Sequence, residues 1–280
     1  MIVPNGVKIK DFVTKYTTVD MPIPYKSLNI QLIKMRDVFS FLECYDILTI
    51  EKNKIADVKI IQMNYLQFIF NLLFNDKIWV DKFINIITIS FGLEYNNNLF
   101  IDKYAKGAIL CQQIDEQTSI FFFNGYDIKF IVERDIPTLV INNVEISAKE
   151  FDEIRKLIMY SNVIDYDDNE MSEDFKKVVN SYYKIKNKGL KVLTIEDKIN
   201  VVMAQSSYTK EQILEMTYRN FEGVFNIAVE KTEYIVNKIA EIQGRTKQPI
   251  EHWIYKKDKS KYSHIFSDAD KYIDEIAGKH

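Results

Sequence analysis

Eight glycines and five prolines in 280 residues leave little material for a site built from loops. A phosphate-cradling loop needs several glycines within a few positions, so that backbone amides can approach the anion. Here no two glycines fall close together. A nucleophile elbow of the Gly-x-Ser-x-Gly type is missing as well. Cysteine is equally scarce. Cys44 and Cys111 are too few for a disulfide framework or a four-thiolate zinc site. Each has apolar neighbours, Leu42 and Tyr45 in one case and Leu110 in the other, and each reads as a small buried hydrophobe. Histidine is limited to His252, His264 and His280, without metal-ligand spacing.

Charge of one sign is also lacking. The 37 basic residues nearly balance 40 acidic ones, giving a net charge of -3, whereas nucleic acid favours a basic surface or stripe. No apolar run approaches the roughly 20 residues that span a membrane. The richest stretch, Tyr65 to Phe74, is interrupted by Gln67 and Asn71. The N-terminus does not have the basic-then-apolar order of a secretory signal. The acidic run Asp165 to Asp174 places Asp165, Asp167 and Asn169 at EF-hand spacing. Its sixth position is Glu170 instead of Gly, and its twelfth is Lys176 instead of Glu, so the calcium reading fails. The expectation is a non-enzymatic chain of the reducing cytosol, with no catalytic residue, cofactor, metal, nucleic acid or membrane span.

Aromatic residues are what the chain has in abundance: 18 Phe, 17 Tyr and 2 Trp. They can build a thick core or supply interface anchors. Their spacing divides the chain into three regions and predicts an α+β fold. Residues 1–98 read as mostly helical after a short polar lead. Met21 to Tyr25 must be extended because of its two prolines, and Leu28, Ile30 and Leu32 alternate as in a strand. Helices are predicted over Met35–Leu48, Met63–Leu73 and Trp79–Ile89.

Residues 99–147 read as an antiparallel sheet. Ser119–Phe123 and Ile128–Val132 flank Asn124-Gly125, the dipeptide of a tight hairpin with positive φ at both positions. Asn142-Asn143 separates Thr138–Ile141 from Val144–Ile146 in the same manner. Residues 148–280 read as helical again. Ser147 with Glu150, Thr194 with Asp197 and Thr209 with Gln212 have the spacing of helix N-termini. Another helix is predicted near Glu173–Lys186. An apolar stripe then runs from Ile213 to Ile239, with a bend between Thr217 and Gly223 and a stop at Gly244.

Five phrases carry a likeness to a known group: Ile23 to Leu28, Lys59 to Phe68, Lys149 to Lys156, Leu214 to Phe221 and Gln248 to Trp253. With them the chain resembles the tail and baseplate-hub assembly chaperones of bacteriophages that infect Gram-positive bacteria. The resemblance implies a helical N-terminal part, a small middle sheet and a helical C-terminal part. It implies a chain that holds phage tail or baseplate proteins until they join the particle, in the host cell cytoplasm or on the virion. Some relatives carry a middle-domain cysteine cluster; this sequence has Cys111 alone there, so no zinc site is implied. A permanent tail or baseplate subunit is the alternative in the same class. A metal-dependent hydrolase or nuclease is the alternative in another.

The segment after Gly244 is the candidate binding element. Pro249 fixes its φ, which presents Trp253, Ile254 and Tyr255 in a defined direction, with Phe266 following. Trp and Tyr are enriched among interface anchors. The expected contact is a tail or hub subunit, or a second copy of the chain.

Overall fold

The computed structural model describes residues 3–4, 7–52, 55, 57–166, 181, 192–245 and 252. Its class is α+β, with helices toward both ends and an antiparallel sheet between them. The chain forms two compact units, Met1–Asp167 with Thr209–Gly223, and Asp168–Tyr208 with Val224–His280.

The first unit opens with a helix where the sequence suggested only a polar lead. In α1 (Ile9–Thr17), Ile9, Phe12, Val13 and Tyr16 recur at helical spacing. Phe12 and Val13 are buried, and α1 packs on the later helix α6 (Ala148–Asn162). The extended Ile23–Tyr25 becomes β1, paired with β2 (Leu28–Ile30). A 3-10 turn, α2 (Val38–Cys44) and a second 3-10 turn (Tyr45–Leu48) occupy the predicted helix over Met35–Leu48. Next come α3 (Val58–Gln62), α4 (Tyr65–Leu72) and α5 (Lys77–Phe91). Asn64 caps α4 by accepting from the Gln67 amide, and Gly92, at φ +62°, ends α5 in the left-handed conformation.

The sheet is a five-stranded meander: β3 (Ile109–Gln113), β4 (Thr118–Phe123), β5 (Ile128–Glu133), β6 (Ile136–Ile141) and β7 (Val144–Ile146). Alternate residues Phe123, Phe130, Leu139, Ile141 and Ile146 point into the core. There the Phe83 ring lies 5.7 Å from Phe123 and 5.6 Å from Phe130, while Phe70 lies 5.1 Å from Phe130. Burying each such ring contributes roughly 1.5–3 kcal/mol.

Two hairpins use positive φ at both turn residues. Asn142-Asn143, at φ 45° and 61°, closes the Ile141–Val144 pair as its sequence predicts. Arg134-Asp135, at φ 50° and 66°, does the same between Glu133 and Ile136 without any glycine or asparagine to announce it.

Asn124-Gly125 departs from the prediction. Only Gly125 has positive φ, and the connection spans Asn124 to Asp127. Asn124 is fully buried. Its Oδ1 accepts from the Ile101 amide at 2.7 Å, and its Nδ2 donates to the carbonyls of Tyr104 and Ala105, both at 3.1 Å. The side chain thus satisfies the backbone of a neighbouring loop that has no regular structure of its own.

The capping box at Ser147 and Glu150 opens α6, whose Phe151, Ile154, Leu157 and Ile158 are buried as expected. The segment over α8 (Lys210–Glu215) returns to the first unit. Met35 N donates to Met216 O at 2.9 Å, and Tyr218 N donates to Ile33 O at 2.7 Å. This backbone pairing breaks the apolar stripe at Met216-Thr217, the start of the expected bend. Gly223 lies inside the next helix, α9 (Tyr218–Ile242).

In the second unit, the expected Thr194–Asp197 box caps α7 (Ile195–Gln205). Val202 and Phe225 are buried, and the Lys198 ammonium lies 5.1 Å from the Phe225 ring centre. Apart from residue 181, the helix expected over Glu173–Lys186 lies outside the described residues, as do Asp167 to Asp174 of the acidic run.

Candidate protein-binding surface

Along the part of α9 in the second unit, Phe225, Ala228, Thr232, Ile235, Ile239 and Ile242 are separated by alternate steps of three and four. That is the seven-residue repeat with which a helix presents one continuous seam to a partner helix. The seam changes character along its length. Phe225 and Ala228 are buried, at 7% and 9% exposure. Ile235, Ile239 and Ile242 are 47%, 50% and 80% exposed, and Val236 beside them is 59% exposed. Single exposed apolar residues are ordinary, whereas a row in register on one helix is a candidate interaction surface.

The helix that carries this row is firmly defined. Thr217 caps its start, with Oγ1 accepting from the Asn220 amide, and Arg219 Nη1 donates to the Tyr160 carbonyl at 2.7 Å. Gly244, at φ +70°, stops it where the sequence said it would. Lys231 and Lys238 flank the seam on one side. Lys238 pairs with Glu241 at 2.7 Å, and this hydrogen bond holds its ammonium above the usual range.

Trp253, Ile254, Tyr255 and Phe266, the expected anchors, lie outside the described residues. His252, immediately before Trp253, is described. Its ring lies 4.8 Å from that of Tyr234 on α9. Sequence reasoning ended the stripe at Ile239 and left open which part faces the core. The signal for Ile242 was present in the unbroken four-three spacing.

Two cations of the first unit, Lys52 and Arg155, donate to its own backbone. Lys52 Nζ donates to the Ile61 carbonyl at 3.2 Å and to that of Met63. Burial, with Arg155 nearby, lowers the Lys52 pKa. Arg155 Nη1 donates to Leu48 O at 3.2 Å, and the guanidinium lies 4.2 Å from the Tyr65 ring centre.

Cys44 is buried as expected, but Cys111 is exposed. The difference follows from strand order, since β3 is an edge strand of the sheet. Among the described residues no three of His, Cys, Asp and Glu gather as a metal site, and no helix is long and apolar enough to cross a membrane. No family model, curated protein or solved structure matches the chain.

Proposed function

We propose that this chain is a bacteriophage tail or baseplate-hub assembly protein that acts by binding other proteins and not by turnover. The observation that carries the reading is the half-exposed seam of α9, in which Ile235, Ile239 and Ile242 continue a packed row into solvent. A chaperone that holds another subunit until it is handed on needs such a surface: apolar enough to bind, and helical enough to be specific. The resemblance of Ile23 to Leu28, Leu214 to Phe221 and the other phrases to phage assembly chaperones supplies the class of partner. A near-neutral charge balance and the absence of catalytic signatures support the same reading.

The test is capture of a tagged copy from infected cells, alongside a search for the chain in purified particles. Tail or baseplate proteins among the captured chains, with none of this chain in finished particles, support an assembly factor. Stoichiometric presence in particles supports the permanent-subunit alternative. Capture of no tail or baseplate protein overturns both.

A further inference from the structure

The two edges of the five-stranded sheet are treated differently. At β7 the two-residue turn closes on Ile141 and Val144, so the next pair, Val140 and Glu145, is not hydrogen-bonded and Glu145 directs its backbone groups outward. The Lys26 ammonium occupies that outward carbonyl at 2.6 Å. This edge is also short and charged, two of the devices that prevent strand addition.

At β3 neither device is present. Ala108 accepts from the Asn124 amide at 2.9 Å, and Ile114 donates to the Thr118 carbonyl at 3.0 Å. Alternation between these two contacts leaves the N–H and C=O of Ile109, Cys111 and Gln113 directed away from β4. The strand reads Ile-Leu-Cys-Gln-Gln, without charge or proline, and Cys111, Gln112 and Gln113 are exposed. Phe74, 53% exposed, lies on the core side of the same edge. Its ring is 5.4 Å from Phe121, and Phe121 is the cross-strand partner of Cys111.

We infer that β3 pairs antiparallel with β3 of a second copy, about a twofold axis at Cys111. The outward groups are self-complementary in that register. Cys111 faces its own copy, and Ile109 faces Gln113 in both directions, so every outward donor meets an acceptor. The strand's neutrality makes the pairing free of like-charge repulsion. Because the axis is perpendicular to the sheet, both helical layers stay on one side, and the two Phe74 rings flank the axis and shed exposed area. The inference rests on the sheet edge and not on the α9 seam or the phage reading.

The experiment uses the full chain. Its mass is followed by sedimentation across about 1–100 µM, a range suited to a small interface. We expect a concentration-dependent rise from 33.1 kDa to twice that value, and cross-linking of Cys111 to Cys111 by a short bis-maleimide. Cys111→Lys places like charges opposite each other and should remain monomeric with an unchanged melting temperature. Gln113→Pro removes an outward N–H that donates to no acceptor among the described residues, and is the second variant should Cys111→Lys fail to fold. A wild-type chain monomeric throughout, a dimer that persists in the folded variants, or a dimer without Cys111–Cys111 links would overturn the inference.

Discussion

Lys26, in the turn between β1 and β2, places its Nζ 2.8 Å from Oε1 of Glu150, the capping-box glutamate of α6. One ion pair thus joins the first hairpin to the helix that follows the sheet. Burial alone would raise the Glu150 pKa. The Lys26 ammonium and the Ser147 amide and hydroxyl outweigh it and bring the carboxyl down to about 2. A carboxyl depressed on folding stabilises the folded chain above its ordinary pKa, near 4.5, and ceases to do so as pH falls toward 2. Lys26→Met should therefore lower stability at pH 7 by about 0.5–1 kcal/mol, allowing for partial exposure of the pair. Urea titrations of both chains should show this gap closing between pH 4.5 and 2. A gap independent of pH would mean that the lysine acts through its stem alone.

Asn124 and Gly125 should be far more sensitive than an ordinary turn. Asn124→Ala removes the partner of the Ile101 amide and a donor to each of the Tyr104 and Ala105 carbonyls, the latter keeping the Ala108 amide, at a cost of about 2–4 kcal/mol. In Gly125→Ala the new Cβ would meet Tyr95 Cε2 at 2.1 Å, on a backbone at φ +86°. Thermal melts of the two variants check this; losses under about 0.5 kcal/mol would show that the loop over residues 96–108 does not depend on them.

The two thiols should separate cleanly. Burial, reinforced by Asp46 and Glu43, pushes the Cys44 thiol up to about 11, whereas Cys111 lies exposed on the sheet edge. A chromogenic disulfide reagent at pH 8 should titrate Cys111 rapidly in dilute native protein and reach Cys44 only after denaturation. Rapid reaction of both thiols in the native chain would contradict the burial of α2.

Much of the fold was legible because local and tertiary demands agree. The three capping boxes, the Asn142-Asn143 turn, the Gly244 stop and the burial of the α6 face are all read from short spacings. Where the two demands diverge, sequence misleads. Asn124 carries a turn signature, yet its side chain serves another loop. Arg134-Asp135 carries none, yet strand register forces both residues to positive φ. Exposure is harder still. That Cys111 lies on an edge depends on strand order, and that Ile235 lies outside while Phe225 lies inside depends on where packing ends along one helix. Periodicity shows which face is apolar, not how far along the helix it is covered.

The decisive measurement pairs Ile235→Glu with Ile239→Glu in one tagged chain and reads binding and stability together. Both positions are about half exposed, so the double variant should melt within about 0.5 kcal/mol of wild type. It should also lose tail or baseplate proteins from the material captured in infected cells. Capture undiminished in the folded variant would contradict the assignment of the α9 seam as the binding surface.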